Sequence, residues 1–289
     1  MTEKTAIEFL FFSYFGEDIV SIKADENKLI NTAIHRAYRD AASHVLQFDF
    51  EAEINKDEKE KIVNAYQAVA STKIYEYLIS ISEKKGILSE NWVEELAKTL
   101  IRLYEMSQKA LEDEMDDDIN ENVGLNGLET YEKKNVKFTF GIAQKWINMT
   151  IKNLYVMKAI LKIYSDEENT YLSNICETFN VGVIDIPVDD YIIKASCNEL
   201  LLEVPSENKT KEYKDNRCVY SKKLAWSNWK IASDAEQPEK SYYGAYQHRL
   251  KECLANDETF KDLGDVLDRE NRLWINTALG KYNAKRKMK

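Results

Sequence analysis

The stretch "FTFGIAQKWINMTIKNLYVMKAILKIY" (138–164) decides the fold. Ile142, Trp146, Met149, Leu154, Met157 and Leu161 recur at helical spacing, and Ile147 and Ile151 widen the apolar face around much of the circumference. A helix that is apolar on most of its sides has to be enclosed by others. Its polar exceptions near the start, Lys145, Asn148 and Lys152, fall at i, i+3 and i+7 and line one stripe, which faces water or a polar pocket. Gly141 and Ala143, just ahead of Lys145, let the backbone come close to a ligand or a neighbouring element. A helix head also presents unpaired N–H groups and a positive dipole end, which suit a phosphate or carboxylate.

Working outward, the same periodicity recurs on both sides. "ENKLINTAIHRAYRDAASHVL" places Leu29, Ile30, Ala33, Ile34, Ala37 and Ala41 on one face. A following segment does so with Ile62, Tyr66, Val69, Ile74, Tyr77, Leu78 and Ile81, and Gly86 marks its end. Ser89 reads as the N-cap of a third, with Trp92, Leu96, Leu100 and Leu103 as its stripe. Beyond 164, helices are expected over 167–180, from 189 to before Pro205, over 241–255 and over 265–283, with an extended connector at "VGVIDIPV". Only nine glycines and three prolines serve 289 residues, too few for a strand-rich fold with its frequent turns. The expectation is an all-α, compact multi-helix domain.

The acidic run "EDEMDDDINENVGLNG" reads as the internal linker, dividing an N-terminal helical layer (1–111) from a C-terminal lobe (129–289) across 112–128, with both layers able to form one compact domain. It is not an EF-hand loop, because Glu121 stands where that loop needs glycine. No metal and no cofactor are expected. Cys176, Cys197, Cys218 and Cys253 are widely spaced, which argues against a zinc site or a disulfide framework. His35, His44 and His248 read as surface or satisfied core residues, and Arg36 with Asp40 as an i, i+4 pair. A net charge of −10 argues against a general duplex binder and suits a small polar substrate, a protein partner or a focused nucleic-acid site. With no signal-like N-terminus and no run of about 18 apolar residues, a cytoplasmic protein without a membrane association is expected.

The second lead is "VIDIPVDDYIIKA", where Asp189 or Asp190 after Pro187 opens a helix and serves as a cap or a dipole partner. Taken together, "GIAQK" before a buried helix and "IPVD" opening a later one resemble the helix-hairpin-helix DNA glycosylase superfamily, particularly its 8-oxoguanine branch. There a Gly-x-Gly-x-Lys hairpin supplies a lysine that attacks the anomeric carbon, and a Pro-x-Asp supplies a carboxylate that steadies positive charge on the sugar. The resemblance implies those roles for Lys145 and Asp189. Two features depart from the pattern. Ala143 replaces the second hairpin glycine, and Asp189 follows Lys145 by 44 positions, about twice the family's usual spacing, with an extra helix between.

The resulting expectation is an N-glycosylase-like enzyme acting on a nucleobase–sugar bond in a nucleoside or nucleic acid. Lys145 and Asp189 are its catalytic residues, and Gly141, Ala143, Gln144, Asn148, Lys152 and Asp190 line the pocket. Trp226, Trp229, Tyr246 and Gln247 are candidates to stack or bond a base, or else to cover the core from the C-terminal side. The alternative is a non-catalytic helical protein that docks a protein or a nucleic acid.

Overall fold

In the computed structural model of the chain the described residues are 1–42, 56–84, 88–89, 91–122, 138–165, 170–179, 184–198, 213–214, 217–218 and 242–287. The fold is all-helical, with ten helices among these residues and one antiparallel ladder two residues long, β1 (Tyr213–Lys214) with β2 (Arg217–Cys218).

Short polar residues set the first boundaries. Thr2 caps α1 (Glu3–Phe15), which stops at Gly16, a residue at φ 78° whose N–H reaches back to the Phe12 carbonyl. Asp18 caps α2 (Ile19–Ala24), and Asp25 both ends that helix and caps α3 (Glu26–Ala41). Every residue of the expected α3 stripe is buried.

In α4 (Lys56–Lys84) the buried line is Tyr66, Ala70, Ile74 and Leu78, in steps of four. Val69, expected in that stripe, is 49% exposed, because Ala70 occupies the position between Tyr66 and Ile74 on the packed face. Helix α5 (Trp92–Asn122) buries Trp92, Leu96 and Leu100. Its first amide, that of Trp92, bonds the Ser89 carbonyl at 3.2 Å, so Ser89 lies just outside the helix. The helix runs on through the first part of the acidic segment read as a linker. From Glu112 to Asn122 no glycine or proline interrupts it, and the first breaker is Gly124. Residues 123–128 of that segment lie outside the described ones.

Helix α6 (Phe140–Ser165) is the central element. It packs most extensively on α3, then on α5, and also touches α1 and α7 (Thr170–Phe179). Two of its polar groups bond across the α3 interface: the Trp146 indole N–H donates to the Ile34 carbonyl (3.1 Å) and the Asn153 amide to that of Ala33 (3.2 Å). Residues 184–189 form a connector outside helix and strand and lead into α8 (Asp190–Asn198), which packs on α10 (Val266–Lys287), with α9 (Tyr242–Asn256) against α10 as well. One continuous apolar cluster runs from Phe11 to Leu273, so the expected N-terminal layer and C-terminal lobe share a core. No helix of the described residues is long and apolar enough to cross a membrane.

Candidate functional site

The stripe Lys145, Asn148, Lys152 does not face water. It lies against the connector, α9 and α10, and each member meets a specific polar partner there.

The connector is held residue by residue. The Gln247 side chain pairs with Ile186 as a strand would, its Nε2 donating to the carbonyl (2.8 Å) and its Oε1 accepting from the amide (2.9 Å). Lys251 holds the Asp185 carboxylate at 2.8 Å, and the Gln144 Nε2 donates to the Val188 carbonyl at 3.1 Å. Clamped in this way, and fixed in φ by buried Pro187, the chain delivers Asp189 to the head of α8. One carboxylate oxygen caps the helix: Oδ1 accepts from the amides of Tyr191 (2.9 Å) and Ile192 (3.0 Å). The other, Oδ2, accepts from the Trp274 indole N–H (3.0 Å) and stands 4.0 Å from the Lys145 amine. The Lys145 and Asp189 side chains are 12% and 17% exposed.

One face of α6 and one of α10 extend this charged seam. Two turns along, Lys152 meets Glu270 at 2.6 Å, with the glutamate 1% exposed. Burial pushes the Glu270 carboxyl above its ordinary range, Lys152 pulls it partly back, and the nearby charge of Asp189 pushes it up again. Beside them, the Asn148 amide donates to the Tyr243 hydroxyl (2.7 Å) and to the Gln144 side chain (3.1 Å). Burial, with the Asp185 charge next, raises the Tyr243 phenol well above its ordinary value, so it stays protonated at any physiological pH.

The other expected site residues have different surroundings. Gly141 and Ala143 are buried in the first turn of α6, packed within the protein. Thr139 closes that turn, its Oγ1 accepting from the Ile142 amide (3.3 Å) and its carbonyl from the Ala143 amide (3.0 Å). Asp190 is exposed as the first residue of α8. Tyr246 is fully buried with its hydroxyl 2.8 Å from Ser196 Oγ, and Gln247 is spent on the connector. Trp226 and Trp229 lie outside the described residues.

Sequence reasoning missed Trp274 and Glu270, which stand one turn apart on α10 in a run of charged residues. Trp274 is 37% exposed and packs at 5.0 Å between ring centroids on Tyr191, which gives the Lys145–Asp189 pair an aromatic rim. A separate cleft of about 360 Å³ opens between the end of α7, α9 and α10, and neither Lys145 nor Asp189 lines it. Comparison of the chain with protein-family models, curated proteins and solved structures gives no match.

Proposed function

We propose that the chain is an N-glycosylase-like enzyme that cleaves a nucleobase–sugar bond in a nucleoside or nucleic acid, with Lys145 as nucleophile and Asp189 as its electrostatic partner. The observation that carries the reading is the approach of Lys145 Nζ to Asp189 Oδ2 at 4.0 Å, with both side chains largely buried. Asp189 is positioned by its cap and by Trp274, so it need not move when charge develops nearby. A carboxylate fixed in this way favours the positive charge that grows on a sugar as the base departs. In the reaction, the neutral form of the lysine amine bonds to the anomeric carbon, the glycosidic bond breaks and its electron pair leaves with the base, and the proton that the amine nitrogen sheds is passed to the departing base. The sugar ring then opens to an imine. Trp274, exposed beside the pair, offers a face on which a base can stack, an interaction worth about 1–3 kcal/mol.

The test is reductive trapping. The protein is incubated with borohydride and a panel of modified nucleosides and single- and double-stranded oligonucleotides, and adducts are mapped by mass spectrometry. The reading requires an adduct on the peptide carrying Lys145 that is lost in Lys145→Ala. An adduct spread over surface lysines, or none with any substrate, contradicts it.

A second reading, a helical docking protein without chemistry, is favoured by α1, where Phe9, Leu10 and Phe12 are 59–63% exposed and Val20 of α2 is 56% exposed. It predicts that replacing Phe9 and Phe12 by serine abolishes partner binding and leaves the fold intact, whereas Lys145→Ala changes nothing.

A further inference from the structure

Helix α1 is apolar around most of its circumference, yet the core takes up one side of it. Phe11 and Phe15 are buried on that side, with Ile7 packed beside them. On the opposite side Thr5, Phe9, Phe12 and Ser13 follow at helical spacing, flanked by Leu10, and all five are exposed. Phe9, Leu10 and Phe12 each leave more than half of their surface in water. A helix apolar on all sides is ordinarily enclosed, so this outward face has the character of a surface that another body covers.

The charges around it narrow the choice of that body. Lys4, the one lysine of α1, stands over the Tyr164 ring at 4.8 Å, and the Glu8 carboxylate accepts from the Tyr164 hydroxyl at 2.9 Å. Past the helix, Glu17 is paired with Lys28 at 2.9 Å, and Asp18 caps α2 through the Ser21 amide. Glu3 is exposed, but in the first turn, away from Phe12. The face itself carries no charge. A helix that lies on a lipid surface is rich in Lys and Arg on its polar side, and α1 has only the engaged Lys4. Foreign protein partners are steered and told apart by complementary charge, which this face does not offer. Interfaces between copies of one chain are the more apolar kind, and an uncharged face meets its own copy without setting like charges together.

The area is sufficient. With about 150–250 Å² for an aromatic side chain, Phe9, Leu10 and Phe12 alone keep roughly 350 Å² in water. Thr5, Ser13 and partly exposed Tyr14 bring the face to about 500 Å², so that two copies bury about 1,000 Å² in all, the least that a specific interface needs.

We infer that the outward face of α1 docks a second copy of this chain, the two helices packing across a two-fold axis with Phe9, Leu10 and Phe12 of each against the same face of the other. This names the partner of the docking reading, and it stands whether or not Lys145 is a nucleophile.

The test is sedimentation velocity of the full chain from about 1 to 200 µM, at low and high salt. The native protein becomes dimeric over this range, and added salt does not weaken the dimer, because no ion pair holds it. Phe9→Ser combined with Phe12→Ser raises the Kd about tenfold or more with an unchanged circular dichroism spectrum. Leu10→Arg, a single exposed change that puts a charge into the face of each copy, does the same and decides the matter alone should the double variant fail to fold. To locate the contact, Phe12→p-benzoylphenylalanine is irradiated in a mixture of unlabelled and nitrogen-15-labelled protein, and cross-links between the two fall within α1 and α2. A chain that stays monomeric at the highest concentration overturns the inference. So does a dimer that survives both variants or dissociates in salt, or cross-links that fall elsewhere. A monomer that floats with phosphatidylcholine vesicles, and loses this in Leu10→Arg, overturns it in favour of a lipid surface.

Discussion

Glu270 is a carboxyl taken almost wholly out of water and held against Lys152 at 2.6 Å. Removing Lys152 strands it, and an unpaired buried charge costs up to about 3–5 kcal/mol unless the group neutralises itself by binding a proton. The raised position of Glu270 shows that burial already outweighs the pair. Its folded-state value lies above its unfolded one, so its contribution is full below the ordinary carboxylate range and declines as pH rises through the folded value. The stability of the native protein relative to Glu270→Gln therefore falls as pH is raised from about 4.5, the unfolded reference for this group. Urea midpoints of the two proteins across pH 4–8 check this, and a native protein that gains stability relative to Glu270→Gln as pH rises contradicts it. Little of this residue's role was legible beforehand. Among the charges of "LDRENRLWIN" nothing in local spacing sets Glu270 apart, because its burial comes from α6, more than a hundred positions away.

At the scale of the element, Asp189 serves two structures with two oxygens. Oδ1 belongs to the head of α8 and Oδ2 to Trp274 and Lys145, so substitutions separate the roles. Asparagine keeps a capping oxygen, and Asp189→Asn is expected to cost only a few tenths of a kcal/mol through the cap. Asp189→Ala loses the cap, about 1 kcal/mol, together with the partner of Lys145. Thermal or urea unfolding of both variants distinguishes the two oxygens, and equal destabilisation would show that the cap carries no weight. The cap was readable in "IPVDD", as was the enclosed nature of α6, since both follow from local chemistry and periodicity. The linker was not. A run of acids looks like a solvated loop, yet α5 continues to Asn122, and no glycine or proline stands in the run before Gly124.

For the molecule as a whole, the apolar cluster runs unbroken from Phe11 in α1 to Leu273 in α10, with α6 at its centre. Dividing the chain at its acidic run would separate α3 and α5 from α6, which is the most extensive packing in the fold. Scanning calorimetry is expected to give a single cooperative transition, and two resolved transitions would contradict a shared core. The all-α class was legible from scarce breakers and apolar stripes. The mutual placement of α6, α8 and α10, which brings Lys145, Asp189 and Trp274 together, was not. It depends on the clamp that Gln144, Gln247 and Lys251 put on residues 185–188, and these pairings span 44 to 66 positions in the sequence.

The most direct measurement of the central claim is single-turnover release of free base, followed by chromatography, from the best substrate of the trapping panel. Native protein, Lys145→Gln and Asp189→Asn are compared, each first shown to be folded. The account predicts that Lys145→Gln loses release by about 10²-fold or more and that Asp189→Asn, with its cap retained, loses a comparable factor through the missing charge. Release at the native rate from both variants would contradict it.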